Sequence, residues 1–273
     1  MKPPPFDYVR AGSVAEVHEA LAGADAHVIA GGQSLVPMLS MRLARPNVLV
    51  DIMGLAEFDR ISVEDDAVRV GCAVRQAALL AWPQIGVRQP LLAAALPKVG
   101  HAQTRSRGTV CGSIAQADPS AELPLVLVAL GGSIELSSRR GRRRVAAIDF
   151  STGAMSTARQ PDELIEAVRF PVARPGAGYA FREFSRRHGD FAIVACAAVA
   201  DDRGLRLAVG GVADRPAVRD FADISGAALD DALGAFAEDL EARDDLHATA
   251  RYRRDLVRAL GRETVEEARR CRA

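Results

Sequence analysis

The sequence predicts an α+β protein in two parts, an α/β domain over residues 1–173 and a smaller α+β domain over 178–273. Three observations predict it. The first 52 residues read as helix, strand, helix, strand. The last 95 or so read as strands followed by helices. Between the two lies "ARPGAG" (Ala173 to Gly178), with the Pro and Gly content of a linker. With 273 residues, 49% of them hydrophobic, the chain is long enough to bury a sizeable core.

Each element has a local cause. "GSVAEVHEALAG" reads as a capped helix. Ser13 and Glu16 form an S-x-x-E box, Val14, Val17 and Leu21 line one face, and Gly23 ends it. "AHVIAGG" is a short strand entering a Gly-Gly turn. "SLVPMLSMRLARP" is a second helix with Ser34 as N-cap and Pro37 in its first turn, and "NVLVDI" is a buried strand. "DDAVRVGCAV" alternates like a half-buried strand, and "RQAALLAWPQI" and "QPLLAAALPKV" are helical. From Gly100 a long polar stretch leads to an apolar helix capped by Ser120, with Pro124 in its first turns. "SIELSSRRGRRRVAAIDF" is a hairpin turning near Gly141, and "ELIEAVRFPV" is a strand. Beyond the linker come "YAFREFSRR", a hairpin turning at Asp202-Arg203-Gly204, and two helices.

Composition excludes several classes. Lys plus Arg and Asp plus Glu are both 35, which argues against non-specific nucleic-acid binding. The start "MKPPPFDYVR" has no apolar h-region, and no run of about 18 apolar residues occurs. Cys72, Cys111, Cys196 and Cys271 are far apart without a C-x-x-C, so zinc and cysteine-ligated iron–sulfur sites are not expected. The expectation is a cytoplasmic protein with no membrane span.

Two stretches carry candidate chemistry. In Ala30-Gly31-Gly32-Gln33-Ser34, bare backbone at a strand-to-helix junction reads either as a phosphate cradle or as a plain turn. In "RGTVCGSIAQADPSAELP" (Arg107 to Pro124), glycines bracket Thr109 and Ser113, and Asp118 and Glu122 are placed to accept from sugar hydroxyls. The other reading is a surface loop. The run Arg139, Arg140, Arg142, Arg143, Arg144 reads as a solvated hairpin turn. His18, His101 and His188 show no ligand spacing, and neither a G-x-G-x-x-G nor a Walker A pattern is present.

Taken together, "AGGQSLVPMLSMRLARPNVLVDI", "RGTVCGSIAQADPSAELP", "PDELIEAVRFP", "GYAFREFSRRHGDFAIVACAAV" and "AVGGVADRP" resemble the FAD-binding medium subunit of molybdenum hydroxylases, the carbon monoxide dehydrogenase and xanthine dehydrogenase families. The resemblance spans essentially the whole chain. It implies an FAD-binding domain of two α/β subdomains, of the PCMH type, followed by a C-terminal domain with a three-stranded antiparallel sheet and helices. It implies that Ala30, Gly31, Gly32, Gln33, Ser34 and Leu35 hold the FAD pyrophosphate together with Thr109, Gly112 and Ser113. Asp118 falls where the family contacts the flavin end, Glu122 at the adenosine ribose and Ile165 near the adenine. Arg182 falls at a basic residue near the flavin ring. His101 and Ala117 join the cofactor contacts. Phe191 stands where some relatives carry a Tyr against the flavin, and Gln33 where relatives often carry His, so FAD is expected to be non-covalent.

The resemblance also implies a role. The chain would be an electron-transfer subunit of a heterohexameric oxidoreductase, with no catalytic acid or base of its own. A large partner subunit would hold molybdopterin and a small one two [2Fe–2S] clusters. Electrons would leave FAD for NAD, oxygen or a quinone. The alternative is a self-sufficient flavin-dependent oxidoreductase with its own substrate pocket.

Overall fold

A computed structural model describes residues 2–23 and 25–272. In the first sheet, β1 (Asp7–Arg10), β2 (Ala26–Ile29) and β3 (Val48–Asp51) run parallel in the order β1-β3-β2. α1 (Val14–Leu21) and α2 (Leu35–Ser40) make the crossovers. At α1 the Ser13 hydroxyl accepts from the Glu16 N–H (3.2 Å), and the Glu16 carboxylate accepts from the Gly12 N–H (2.8 Å). α2 is shorter than its sequence predicts and is followed by Arg42 in the left-handed region.

The second sheet is antiparallel. It contains β4 (Ile61–Glu64), β5 (Ala67–Gly71), β6 (Ser133–Ser138), β7 (Gly141–Ala146) and β10 (Leu164–Pro171), in the order β4-β5-β10-β6-β7. A two-stranded ribbon, β8 (Ser151–Gly153) and β9 (Ser156–Thr157), follows a short α9 (Ala147–Phe150). The arginine run lies on β7 and its turn and is more than solvated. Arg140 pairs with Asp162, Arg142 with Glu166, Arg143 with Glu163 and Arg144 with Glu135. Six helices join β5 to β6: α3 (Gln76–Leu80), α4 (Ile85–Arg88), α5 (Pro90–Ala95), α6 (Ala102–Arg107), α7 (Val110–Gln116) and α8 (Glu122–Ala129). The stretch read as a long polar segment is therefore largely helical, and the residue capping α8 is Ala121, not Ser120.

The third sheet has four strands rather than three: β11 (Gly178–Phe184), β12 (Val194–Asp201), β13 (Gly204–Gly210) and β14 (Ala217–Phe221), antiparallel in that order. The extra strand, "AVRDF", carries charges and follows a proline, which is how edge strands avoid pairing with other chains. Its Asp220 sits opposite Arg206 of β13 and pairs with it at 2.6 Å. α10 (Gly226–Asp239) and α11 (Ala250–Arg270) cover one face of this sheet.

Every residue of α8 is buried, and after Glu122 at its start the helix is apolar all round. It packs against α5 and α7 on one side and β12 and β13 on the other. Phe181, Ala195, Ala197 and Ala208 of the third sheet join the main core around α8, while Cys196, Ala198 and Leu207 face α10 and α11. Strand β12 is alanine-rich because both of its faces are covered at close range.

Arg253 of α11 ties this arrangement together from inside. Its side chain is 5% exposed. It donates to the Ile193 and Gly211 carbonyls (2.6 Å each) and to the Arg243 carbonyl (3.1 Å), and it pairs with Asp245. Arg253→Met should cost about 3 kcal/mol, because it leaves buried carbonyls and a carboxylate without their donor. A lowered urea midpoint checks this, with the exposed pair-former Arg262→Ala leaving the midpoint nearly unchanged.

Candidate functional site

A cleft of about 430 Å³ opens where the three sheets meet. Its walls are the end of β2 with the turn after it, the connection between α6 and α7, the start of α8, the start of β10, and residues 189–191 between β11 and β12. Ala30, Gly31, Gly32, Gln33, Ser34, Leu35, Thr109, Gly112, Ser113, Asp118, Glu122, Ile165 and Phe191 all line it. Two stretches some eighty residues apart are thus brought to one cavity.

The two glycines of the turn do different things. A Cβ on Gly31 would lie 2.1 Å from the Arg107 carbonyl oxygen and 2.8 Å from the Gly108 Cα. Gly31 is bare because another backbone lies against it. Gly32 has φ +72°, which L side chains rarely adopt, and it turns the chain out of β2. The Gly32, Gln33, Ser34 and Leu35 N–H groups find no acceptor among the described residues. Ser34 makes no side-chain cap bond, so its hydroxyl is also unspent. The Gln33 amide donates to the Gly31 carbonyl (3.3 Å).

The second stretch spends more of its donors internally. Thr109 caps α7, its hydroxyl accepting from the Gly112 N–H (3.0 Å), and the Ser113 N–H donates to the Thr109 carbonyl (3.3 Å). The Val110 N–H donates to the Val74 carbonyl. What remains toward the cleft is the Ser113 hydroxyl and the close approach that Gly112 allows, where a Cβ would stand 2.8 Å from the Thr109 Oγ1.

The carboxylates are set by burial. Asp118 accepts from the Ser120 N–H (2.9 Å), and burial raises its pKa. Glu122 is 3% exposed. Among the described residues its carboxyl finds only its own N–H, and burial pushes it up to about 7, with Glu183 and Asp118 adding repulsion. Burial also holds the Cys72 thiol at about 12 and raises Cys111, so both cleft-lining cysteines stay protonated and unreactive. No group of three or more His, Cys, Asp or Glu able to hold a metal occurs among the described residues.

Three predicted site residues lie elsewhere. Arg182 faces away from the cleft, paired with Glu267 (2.7 Å) and Glu263 (3.0 Å) of α11. The reason is strand alternation, which turns Glu183 rather than Arg182 toward the core that carries the cleft. His101 stands behind Gly189, where a Cβ would meet its ring at 2.5 Å, and lies edge-on to His188. Ala117 is the left-handed C-cap of α7 and is buried.

The structure adds residues that no motif marked. Gln76, 4% exposed, lines the cleft with a buried Oε1 that has no partner. Arg159 donates to the Gln160, Pro161 and Glu163 carbonyls (3.0, 3.2 and 2.8 Å), which fixes the turn that delivers Leu164 and Ile165. Neither sits in a spacing pattern. Only the tertiary fold brings them in.

Comparison with known proteins gives the same picture. The family described as the FAD binding domain in molybdopterin dehydrogenase matches residues 4–173, and the CO dehydrogenase flavoprotein C-terminal domain matches 179–268. The nicotine 6-hydroxylase medium subunit of Paenarthrobacter nicotinovorans is 38% identical, covering 98% of this chain and 99% of that one. The carbon monoxide dehydrogenase medium chain of Afipia carboxidovorans is 34% identical, with 98% of each covered. Among solved structures, carbon monoxide dehydrogenase from Hydrogenophaga pseudoflava, lacking the Mo-pyranopterin moiety, superposes with a TM-score of 0.94 at 30% identity over 100% of both chains. The fold and cleft thus define a flavoprotein subunit of an oxidoreductase. The chain belongs to the family of FAD-binding medium subunits of molybdenum hydroxylases, of the carbon monoxide and xanthine dehydrogenase type.

The residues present fit FAD. Unaccepted amide N–H groups and two serine hydroxyls suit phosphate oxygens. The orphaned Gln76 Oε1 suits a ligand donor, and the exposed Phe191 ring at the mouth suits an aromatic face.

Burial of Glu122 has a stability signature. Its folded-state pKa lies above the ordinary glutamate value, so the folded protein holds the proton more tightly than the unfolded chain. The favourable contribution is complete at low pH and is lost as pH rises through about 7. Glu122→Gln should therefore match the parent near pH 4.5 and exceed it at pH 8, by on the order of 3 kcal/mol at most. Paired denaturant titrations at the two pH values check this.

Proposed function

We propose that this chain carries electrons between the iron–sulfur clusters of a small partner subunit and an acceptor such as NAD, oxygen or a quinone, with substrate hydroxylation on a large molybdopterin subunit. The observation that carries the reading is the pair of stretches, Gly31–Leu35 and Thr109–Ser113, lining one cleft with unspent N–H and hydroxyl donors. FAD bound there would supply the redox chemistry, taking up and giving out electrons. The chain's own side chains would bind and orient it. The 32–35 amides with Ser34 and Ser113 would hold the pyrophosphate, Ile165 would pack near the adenine, and Phe191, 62% exposed, would lie by the flavin face. The division at residues 174–177 into an FAD-binding and a C-terminal domain is part of this reading. With Gln33 at the turn, no histidine is offered there for covalent attachment.

One observation favours a self-sufficient oxidoreductase. Glu122, held near 7, is a carboxyl suited to donate a proton. It lines the same cleft as the donors that suit FAD, so its chemistry belongs to the cofactor site and calls for no separate substrate pocket. The purified chain should release FAD on denaturation, and alone it should show at most NADH–dye activity. Gly32→Val, strained at φ +72° and pressed on Val36, should lower FAD content at least tenfold, while Arg142→Ala in the hairpin should not. Absorbance spectra of the three proteins check this. A colourless parent that takes up no FAD, or substrate turnover by the isolated chain, would overturn the reading.

A further inference from the structure

The third sheet lays one row of residues across the N-terminal end of α8. Gly210 of β13 sits opposite Ala195 of β12, and Ala195 opposite Glu183 of β11. Residues paired in this way point to the same face. Ala195 belongs to the core around α8. At Gly210 a Cβ would touch the Leu125 side chain and the Pro119 carbonyl, each at 3.3 Å, and the next N–H, of Gly211, donates to that carbonyl (2.8 Å). Two small residues thus let the segment Pro119–Leu125 lie against the sheet, and Glu183 closes the row beside it.

Glu122 stands in that segment. It is buried, unpartnered except by its own N–H, and lines the cleft. Glu183 has one carboxylate oxygen, Oε2, fully buried without a partner. No ion pair reaches either group among the described residues. The charged groups around them are Asp118 ahead of α8, Arg105 on α6 and Lys98 before it. Arg105 is already engaged, its Nη1 donating to the Pro97, Val99 and Gly100 carbonyls. A buried Glu122 and a half-buried Glu183 with one oxygen sealed off, neither in an ion pair among the described residues, cannot both be ionised at low cost.

We propose that Glu122 and Glu183, one from each side of the interface between α8 and the third sheet, act as a single proton-holding pair, and that binding of FAD in the cleft takes up a proton onto this pair. The proposal rests on the FAD reading. The proton comes from solvent. It stays on a carboxyl oxygen of the pair, and Glu122 presents it as a hydrogen-bond donor toward the ligand. The entering pyrophosphate is an anion, so it favours the protonated pair over the doubly ionised one. Glu183 is thereby a positioning residue, acting on the ligand through Glu122.

Both carboxyls lie near 7 because of burial, which places the effect in an accessible range. The test titrates FAD into the full chain, freed of bound flavin, by calorimetry from pH 6 to 9. Two buffers of different ionisation enthalpy report the protons exchanged. The parent should take up about one proton per FAD at pH 8, and its affinity should fall about tenfold per pH unit above neutrality. Glu122→Gln and Glu183→Gln should each take up almost none and bind with affinity nearly independent of pH. A parent that binds FAD without proton uptake overturns the proposal even if neither variant folds. So does an unchanged pH slope in Glu183→Gln. Failure of the parent to bind FAD at any pH removes the FAD reading itself and this proposal with it.

Discussion

The contact on which the site depends is the one between the Gly31 α-carbon and the backbone of Arg107 and Gly108. It joins a turn of the first sheet to the connection between α6 and α7, and the helices that follow touch as well, the Gln116 amide of α7 reaching the Met38 sulfur of α2 (3.5 Å). One backbone rests on the other, and the amides of the turn, on residues that line the cleft, have no acceptor among the described residues. The contact tolerates nothing larger than hydrogen. A methyl there would displace a backbone carbonyl, not a flexible side chain, and the cleft would lose its shared edge.

The same economy governs the other wall. α8 has no polar face to spare, since the second sheet's helices and the third sheet both bury it. The two sequence halves therefore share a core across the helix instead of touching through a wet interface. That burial fixes the position of β12, and Arg253 fixes the entry to it by holding the Ile193 and Gly211 carbonyls. Phe191 projects two residues ahead of Ile193. Its place at the cleft mouth is set by a buried arginine on the last helix, well away from the cavity it borders.

Much of this was legible in the sequence. Capping at Ser13, the Gly-Gly turn, the arginine hairpin and the turn at Gly204 are local, and local rules found them. The edge strand Ala217–Phe221 was missed because its residues are those that disguise an edge. The helices α6 and α7 look like polar segment in the sequence because they are short and their hydrophobic side is only partly developed. The family resemblance places Arg182 near the flavin by its position in a motif. Strand alternation turned its neighbour Glu183 toward the core instead, a distinction that needs the register of β11. Gln76 and Arg159 carry no local signal at all, since their roles depend on loops folding back from elsewhere.

What emerges is a cleft that offers a polyanion few fixed cations. The chain's charges balance at 35 and 35, and the arginines of β7 and α11 are largely committed to carboxylates. Recognition must then come from uncharged donors whose desolvation is already suffered in the folded protein, namely the amides after Gly31 and the serine hydroxyls. Such donors discriminate by position more than by charge, which suits a dinucleotide with one pyrophosphate and long neutral flanks. A buried carboxyl at the cleft, Glu122, and the half-buried Glu183 on β11 are tolerable on the same logic. Burial raises Glu122 and Glu183 to about 7, so each holds its proton more readily than an exposed glutamate, and a protonated carboxyl can donate as well as accept. A lysine-rich pocket would bind phosphate more strongly but would ionise Glu122 and Glu183. The lack of ion-pair partners for Glu122 and Glu183 among the described residues and the raised pKa of both carboxyls are therefore two sides of one design.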